Sequence, residues 1–112
     1  MNAKDIIRLQ HMLDYARETS KFIIDRSRDD LDNDNILTLA LMKGIEIIGE
    51  AAANISQETK EQLSQFDWFN IIGMRNRLVH VYFNIDLDIV WNTTENSLPE
   101  LIEKLEMLPE LK

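Results

Sequence analysis

Cysteine is absent from the chain, and glycine and proline are scarce, with three and two occurrences among 112 residues. The absence of cysteine excludes disulfide frameworks, thiolate nucleophiles and zinc sites built on cysteine. So few glycines and prolines provide too few turn signals for a many-stranded β sandwich. No apolar run approaches the roughly 20 residues that cross a bilayer, and the start MNAKDIIRLQHML is charged throughout, unlike a signal peptide. We therefore expect a cytoplasmic protein.

Positively charged residues are also few. Twelve Lys and Arg stand against twenty Asp and Glu, which gives a formal net charge of −8. Proteins that coat RNA or DNA neutralise several phosphates at once and usually present a basic face. The charge balance therefore excludes nucleic-acid binding through bulk charge, and any contact with RNA must use a small local site. A length of 112 residues with 45% hydrophobic side chains predicts one folded domain over residues 1–112.

The hydrophobic residues repeat at intervals of three and four, which is the spacing of one helical face. This pattern predicts an all-α, up-and-down bundle of four or five helices, at about residues 2–26, 35–55, 56–65, 67–83 and 86–108. The expected N-caps are Asp34 or Asn33, Asp67 and Asp86. The helix at residues 35–55 is apolar nearly all round, which is typical of a central helix or of one buried in a subunit interface. Because Pro99 interrupts the last helix, we expect a kink or a break near residues 96–98.

Two stretches need a separate interpretation. Residues 27–35 contain four Asp and two Asn, whose side chains compete with helical hydrogen bonds, so we predict a loop. A calcium site is disfavoured there because the Gly and the terminal Glu of an EF-hand loop are missing. In residues 78–85, LVHVYFNI, alternation and β-branching favour a strand. Because a lone strand has no partner in this chain, we predict a helix end and a turn instead.

One stretch of this acidic chain is free of acids. Between residues 68 and 85 there is no Asp or Glu, whereas Arg75, Arg77 and His80 all lie there. Arginine presents a planar fork of donors that matches phosphate oxygens, and histidine, with a reference pKa of about 6.5, exchanges protons at working pH. An arginine that stabilises developing charge and a histidine that transfers protons can cleave RNA without a metal, with the 2′-hydroxyl as nucleophile.

Spacing alone leaves the arrangement of these residues open. Arg75 and His80 are five residues apart, which is about 140° on an ideal helix, so they would point in different directions. Either the long side chain of Arg75 reaches toward His80, or the helix loosens near His80, or a second subunit completes the site. A purely structural arrangement is also compatible with the spacing, with His80 at a helix C-terminus and Arg75 paired with a carboxylate.

A longer pattern surrounds these residues. The stretch GMRNRLVHVYF, residues 73–83, resembles the signature of the HepT-like toxins of the HEPN superfamily, in which four residues separate an Arg from a His and one more separates the His from a Tyr. The three positions are filled by Arg75, His80 and Tyr82. Asn76 is the polar residue that commonly follows the Arg, and the stretch IIGEAAANIS, residues 47–56, is similar to the central helix of this family. The resemblance covers most of residues 36–112.

The resemblance implies a metal-independent endoribonuclease without a cofactor, acting as the toxin of a type VII-like toxin–antitoxin pair. It also implies a bundle of HEPN type that forms a homodimer, with two copies of the motif along one cleft and a larger toxin–antitoxin complex left open. Arg75 and His80 would be catalytic: Arg75 holds the scissile phosphate, His80 transfers a proton, and Asn76 supports them. The implied partners are an RNA substrate and an MntA-like nucleotidyltransferase antitoxin, which transfers AMP from ATP onto Tyr82.

Two more residues are candidates for supporting roles. Arg77 belongs to the same positive stretch and is a candidate for binding RNA phosphate. Glu46 lies on the central helix, one turn before Glu50, and is a candidate for orienting Arg75. Two other functions stay open: a non-catalytic helical subunit that binds substrate or nucleotide for a nucleotidyltransferase, and a structural helical dimer. Loss of RNA cleavage in His80→Ala with retained folding would separate the enzyme from the binding subunit.

Overall fold

Helices make up most of the chain, as the hydrophobic spacing predicts. The computed structural model describes residues 1–81 and 84–112, with the backbone alone at residues 79–81. In chain order the elements are α1 (Ala3–Lys21), α2 (Asp30–Asn33), α3 (Asn35–Ala53), α4 (Gln57–Gln62), α5 (Trp68–Arg77), β1 (Val79–Val81), β2 (Asn84–Ile85), α6 (Leu87–Asn92), a π-helix (Thr93–Ser97), α7 (Leu98–Glu106) and a 3-10 turn (Pro109–Leu111). The all-α bundle is confirmed. None of the helices described combines the length and the apolar composition that crossing a membrane requires.

Side-chain caps fix where several helices begin. The carboxylates of Asp34, Asp67 and Asp86 each accept a hydrogen bond from the backbone N–H three residues further on, at 3.0, 3.3 and 3.1 Å. The hydroxyl of Ser56 does the same at the start of α4, at 3.3 Å. Such caps satisfy N–H groups that the first turn leaves free, and each stabilises its helix by about 1 kcal/mol. The predicted caps Asp34, Asp67 and Asp86 are confirmed.

Helices α1 and α3 form the antiparallel centre of the bundle. Thr19, near the end of α1, packs against Gly44, and Asp5, near the start of α1, reaches Ser56 just beyond the end of α3. A Cβ at Gly44 would lie 2.0 Å from Thr19 Oγ1, so glycine is needed for this close approach. The apolar side chains that are wholly buried around the two helices include Leu9, Met12, Ala16, Leu41, Ile45, Ile48, Leu98 and Leu105. Helix α3 is therefore the central helix that the sequence predicts.

Helices α6 and α7 continue one another through the π-helix at Thr93–Ser97. Pro99, in the first turn of α7, has no N–H, and its ring is incompatible with the carbonyl four residues earlier in a regular α-helix. The buried hydroxyl of Thr94 donates to the Val90 carbonyl at 3.0 Å, within the same helical segment. In place of the kink or break that we predicted near residues 96–98, the helix runs on through a wider turn at Thr93–Ser97.

A short hairpin replaces the turn that we predicted for residues 78–85, and that prediction was wrong. The strand β1 pairs antiparallel with β2, with Val79 opposite Ile85 and Val81 opposite Asn84. The hairpin is closed onto α5 by a hydrogen bond of 2.7 Å from the Asp86 N–H to the Leu78 carbonyl. The strand that contains the β-branched residues of 79–81 pairs with residues 84–85, so no distant strand is required.

The acidic stretch at residues 27–35 is a loop apart from the single turn of α2. Its acids pair with two arginines, in the ion pairs Arg26–Asp30 at 3.3 Å, Arg26–Asp34 at 2.7 Å, Arg28–Asp32 at 3.2 Å and Arg28–Asp88 at 2.6 Å. The hydrogen bond from Arg26 holds the pKa of Asp34 below its usual value. The predicted loop is therefore an ion-paired segment that also links the start of α3 to α6.

Candidate active site

Helix α5 displays three of the predicted site residues to solvent: Arg75, Asn76 and Arg77. The opposite face of the helix is anchored on the bundle by Ile71, Met74 and Leu78, which are buried. At the start of the helix, the indole Nε1 of Trp68 donates to the Leu63 carbonyl at 3.0 Å. Because α5 is fixed at its start and along its buried face, the three polar side chains project from a rigid support.

Helix α5 runs antiparallel to α3. Its C-terminal end leads through the hairpin to Asp88, which pairs with Arg28 at 2.6 Å. Arg28 is close in the chain to Leu31, whose carbonyl accepts a hydrogen bond of 3.4 Å from Thr38 in the first turn of α3. The end of α5 therefore lies beside the start of α3.

The two helices approach each other closely at Gly49. A Cβ at this position would lie 3.3 Å from the carbonyl oxygen of Ile72, which is tight for a side chain. Glu46 on α3 precedes this contact and Arg75 on α5 follows it, each by about one helical turn along its own helix. Glu46 is half-buried and pairs with Lys43 at 3.8 Å. It forms no ion pair with Arg75, so the described contacts do not include the orienting role that we expected for Glu46.

Arg75 carries a charge that no acid of the described chain neutralises. Four other arginines form ion pairs: Arg8 with Asp5, Arg17 with Glu106, and Arg26 and Arg28 with the acids of the loop. Within residues 1–81 and 84–112, the arginines without an ion pair are Arg75 and Arg77, two residues apart on α5. In a protein of net charge −8, α5 is thus a place where guanidinium groups are available to an anion.

Arg77 points to a different side of α5 from Arg75. Two residues correspond to about 200° on a regular helix, so their side chains leave the helix in nearly opposite directions. Arg77 is held by Asn70, two turns earlier: one terminal nitrogen donates to Asn70 Oδ1 at 3.1 Å and the other to the Asn70 carbonyl at 2.8 Å. Sequence reasoning missed Asn70, although Asp67, Asn70 and Arg77 share one side of the helix at spacings of three and seven.

The remaining residues of the motif lie at the edge of what the structure describes. The backbone of His80 belongs to β1, so the helix ends before this residue and the angle of about 140° expected for a continuous helix does not apply. The His80 side chain and the whole of Tyr82 lie outside the described residues. Of the three explanations offered for the spacing, the backbone favours a helix that ends before His80.

Two exposed apolar side chains lie on the helices that carry Glu46 and Arg75. Leu39 lies two turns before Glu46 on one side of α3, and Phe69 lies two turns before Asn76 on one side of α5. Both apolar side chains are exposed, Phe69 to 85%. We call the surface formed by Leu39, Glu46, Phe69, Arg75 and Asn76 the α3–α5 face. Exposed apolar side chains on helices that also carry exposed polar groups are suited to contact with another molecule.

No metal-binding group is found among the described side chains. Within that part of the chain, no three His, Asp or Glu side chains converge closely enough to hold an ion. The acids of residues 27–35, considered above for calcium, are instead turned toward Arg26 and Arg28.

Comparison with known proteins identifies the relatives of this chain. The model of the family described as Ribonuclease HepT-like matches residues 12–108. A protein of Caldanaerobacter subterraneus subsp. tengcongensis, named as a candidate RNase, is 38% identical over 93 residues, which are 80% of this chain and 83% of the relative. A protein of Methanocaldococcus jannaschii, also named as a candidate RNase, is 28% identical over 100 residues, or 89% of this chain and 92% of the relative.

A third relative has a more specific name. This protein of Thermococcus cleftensis, named as a candidate ribonuclease HepT, is 36% identical over 69 residues, which are 62% of this chain and 63% of the relative. No solved structure gives a significant match.

Proposed function

Since the chain belongs to the HepT-like family of ribonucleases, we propose that it is a metal-independent endoribonuclease and the toxin of a toxin–antitoxin pair. The observation that carries this proposal is Arg75, which is exposed, has no ion pair in the described chain, and lies on the helix that ends just before His80. An exposed guanidinium without an ion pair is available to bind an anion, and a phosphodiester is the anion on which a ribonuclease acts.

The proposed reaction needs two groups from the chain. The 2′-oxygen of one nucleotide attacks the adjacent phosphorus, the bond to the 5′-oxygen of the next nucleotide breaks, and the products are a 2′,3′-cyclic phosphate and a 5′-hydroxyl. One proton leaves the 2′-hydroxyl and one reaches the departing 5′-oxygen, and His80 carries out one of these transfers. Arg75 stabilises the charge that develops on the phosphoryl oxygens, and Asn76 supports it from the next position on α5.

A second copy of the chain completes the proposed site. The α3–α5 face includes the exposed apolar side chains of Leu39 and Phe69 and the exposed Arg75. Two copies that pack through this face bury these apolar side chains and bring both copies of the motif to one cleft. The second motif then supplies the other proton transfer, which a single His80 does not provide.

The proposed antitoxin is a nucleotidyltransferase that silences the enzyme at Tyr82. It transfers AMP from ATP to the tyrosine oxygen, with pyrophosphate as the leaving group. The product carries bulk and a negative charge two residues from His80, where it competes with the substrate phosphate for Arg75. The larger assembly of toxin and antitoxin follows from this reaction, because the two proteins must meet at the motif.

RNA cleavage in excess EDTA tests the enzymatic part of the proposal. The wild-type chain, shown by intact mass to be unmodified at Tyr82, is compared with His80→Ala and with His11→Ala, which removes the other histidine of the chain, exposed on α1. We expect wild type and His11→Ala to produce 2′,3′-cyclic phosphate ends, and His80→Ala to lose at least about 100-fold in rate, the usual contribution of a general acid or base. Absence of cleavage by every variant on several RNAs would instead favour the non-catalytic binding subunit.

A further inference from the structure

A cleft opens on the other side of α5 from Arg75. It has a volume of about 280 Å³ and lies between α5 and the segment formed by the π-helix and α7. Its floor is apolar and consists of Ile71, Met74 and Leu101, all of them buried. Its rim is polar, with Asp67, Asn70 and Arg77 on α5 and Ser97, Glu100 and Lys104 on the opposite wall. The cleft therefore has an apolar floor that suits a flat apolar group, and a rim with both hydrogen-bond donors and hydrogen-bond acceptors.

The Arg77 side chain is already ordered at the rim. Its two hydrogen bonds to Asn70, at 3.1 and 2.8 Å, use two of the five N–H groups of the guanidinium. Asn70 is held in turn by Asp67, the N-cap of α5, through a side-chain hydrogen bond. An arginine that is fixed before its ligand arrives loses little conformational entropy on binding. Three N–H groups remain available, so the pre-ordered guanidinium is suited to an anionic oxygen.

The charge of Arg77 is not neutralised within the described chain. Its contacts are with the neutral amide and carbonyl of Asn70, which stands between it and Asp67. On the opposite wall, Lys104 pairs with Glu100 at 3.6 Å, and both stay at least partly exposed. The cleft thus offers one guanidinium without an ion pair and one ammonium, together with the carboxylates of Asp67 and Glu100 and the hydroxyl of Ser97.

We propose that this cleft binds one unstacked nucleotide of single-stranded RNA, with the base on the apolar floor and its phosphate between Arg77 and Lys104. This inference rests on the proposed ribonuclease function and adds to it a subsite away from the reacting atoms. The volume lies at the lower end of ligand pockets, which span roughly 300–1,000 Å³, so it suits a single small group. RNA-binding proteins commonly read bases that are splayed out of the strand, by apolar contact and by hydrogen bonds to the base edge.

Other ligands fit the cleft less well. A free inorganic anion would leave the apolar floor unused. The Cα atoms of Arg75 and Arg77 are about 5 Å apart on a regular helix, with the two side chains on nearly opposite sides. A strand of a few nucleotides can therefore contact both arginines, with the cleft selecting a base that flanks the scissile phosphate.

Nucleotide titration tests the subsite without requiring cleavage. The full-length, 15N-labelled protein is titrated with AMP, CMP, GMP, UMP and inorganic phosphate, and the backbone and side-chain N–H signals are followed by NMR. We expect the signals of Asn70, Arg77 and Ser97 to shift with nucleotides, for one base more than for the others, and less with phosphate. Signals of the cleft that stay unmoved by millimolar nucleotide, or that respond equally to phosphate alone, would overturn the proposal.

Matched variants assign the binding to the cleft. Arg77→Gln and Lys104→Gln each remove one cation from the rim, and we expect each to weaken nucleotide binding about tenfold, the equivalent of one charge-assisted hydrogen bond. Lys21→Gln is the control, because Lys21 is an exposed lysine beside a glutamate on α1 and does not line the cleft. Equal weakening by Lys21→Gln would show a nonspecific effect of charge and would contradict the subsite.

Cleavage of longer RNA connects the subsite to activity. In the wild type we expect a preference for one base at a fixed distance from the cut, and in Arg77→Gln a higher KM and a loss of that preference. Unchanged cleavage patterns in both cleft variants would overturn the role in substrate selection. If no variant cleaves any RNA, the ribonuclease proposal fails, while the nucleotide titration still decides whether the cleft is a binding site.

Discussion

Asp5 is a single acid that joins two distant parts of the chain. Its carboxylate is only 1% exposed, and it accepts hydrogen bonds from the Ser56 N–H at 3.0 Å, the Ser56 hydroxyl at 2.6 Å and the Thr59 hydroxyl at 2.6 Å. Burial by itself raises the pKa of Asp5, but these hydrogen bonds, together with the charge of Arg8, outweigh it, so the pKa lies below its ordinary value. The start of α1 is thereby fixed to the start of α4.

This arrangement predicts a dependence of stability on pH. The native pKa of Asp5 lies below the unfolded value of about 3.9. The stabilisation of the folded state by the ionised carboxylate is therefore complete above a pH of about 3.9, and it disappears as the pH falls through the native pKa. We expect Asp5→Asn, which places an amide donor among three donors, to lower the free energy of unfolding by about 1–3 kcal/mol at pH 7. Urea unfolding at pH 7 and pH 3 should show the difference from wild type shrinking at pH 3.

Asp29→Asn provides the control for this experiment. Asp29 is an exposed acid at the start of α2, and its side chain forms no cap hydrogen bond. We expect this variant to stay within about 0.5 kcal/mol of wild type at both pH values. A gap between Asp5→Asn and wild type that is equally large at pH 3 would contradict the assignment to the ionised carboxylate.

At the scale of whole elements, the glycines of the helices have different roles. Gly44 is the position where α1 and α3 touch, since a Cβ there would collide with Oγ1 and Cγ2 of Thr19 at 2.0 and 2.9 Å. Gly73, inside α5, has open space around it, and its nearest neighbour would be an Arg77 nitrogen at 3.6 Å. The first glycine therefore permits packing, whereas the second only weakens its helix.

The two glycines should respond in opposite ways to the same substitution. We expect Gly44→Ala to lower the free energy of unfolding by about 1–3 kcal/mol through overpacking, and Gly73→Ala to raise it by up to about 1 kcal/mol through helix propensity. Thermal or urea unfolding of both variants measures the contrast. Adding Thr19→Ala to Gly44→Ala should recover part of the loss, and strictly additive effects would show that the two residues are not in contact.

The sequence predicts these elements well where the residues that determine them are close together in the chain. The spacing of apolar residues predicts the bundle and the central helix, and the caps Asp34, Asp67 and Asp86 predict where three helices begin. The hairpin after α5 was missed, because two and three residues of β-branched sequence are too short to distinguish pairing from a turn. The Asn70–Arg77 contact and the cleft behind it depend on how α5 and α7 lie together, which periodicity does not determine.

For the molecule as a whole, the α3–α5 face is the surface most suited to a second copy of the chain. It includes the exposed apolar side chains of Leu39 and Phe69 and the exposed Arg75. Another exposed apolar side chain lies outside this face: Met107, on the turn after α7, is exposed to 72%. The two regions therefore offer a matched comparison of one charged substitution in two surroundings.

Phe69→Asp should prevent dimer formation. A charge in the centre of an apolar contact must be desolvated on association, so we expect a homodimer for wild type and for Met107→Asp, and a monomer for Phe69→Asp. Sedimentation velocity at several concentrations measures the state, with circular dichroism as the check of folding. If Phe69→Asp stays dimeric, or if wild type is a monomer at all concentrations, the proposed interface is wrong.

The two arginines of α5 that lack ion pairs also affect the rate at which a polyanion associates with the protein. With a net charge of −8, the molecule repels an RNA strand at long range and attracts it only within a few ångströms of Arg75 and Arg77. At 0.1 M salt, charges separated by more than about 10 Å are largely screened, while those in close contact are screened less. Added salt therefore weakens the repulsion before it weakens the attraction, so encounter accelerates with moderate salt, opposite to the behaviour of a basic nuclease.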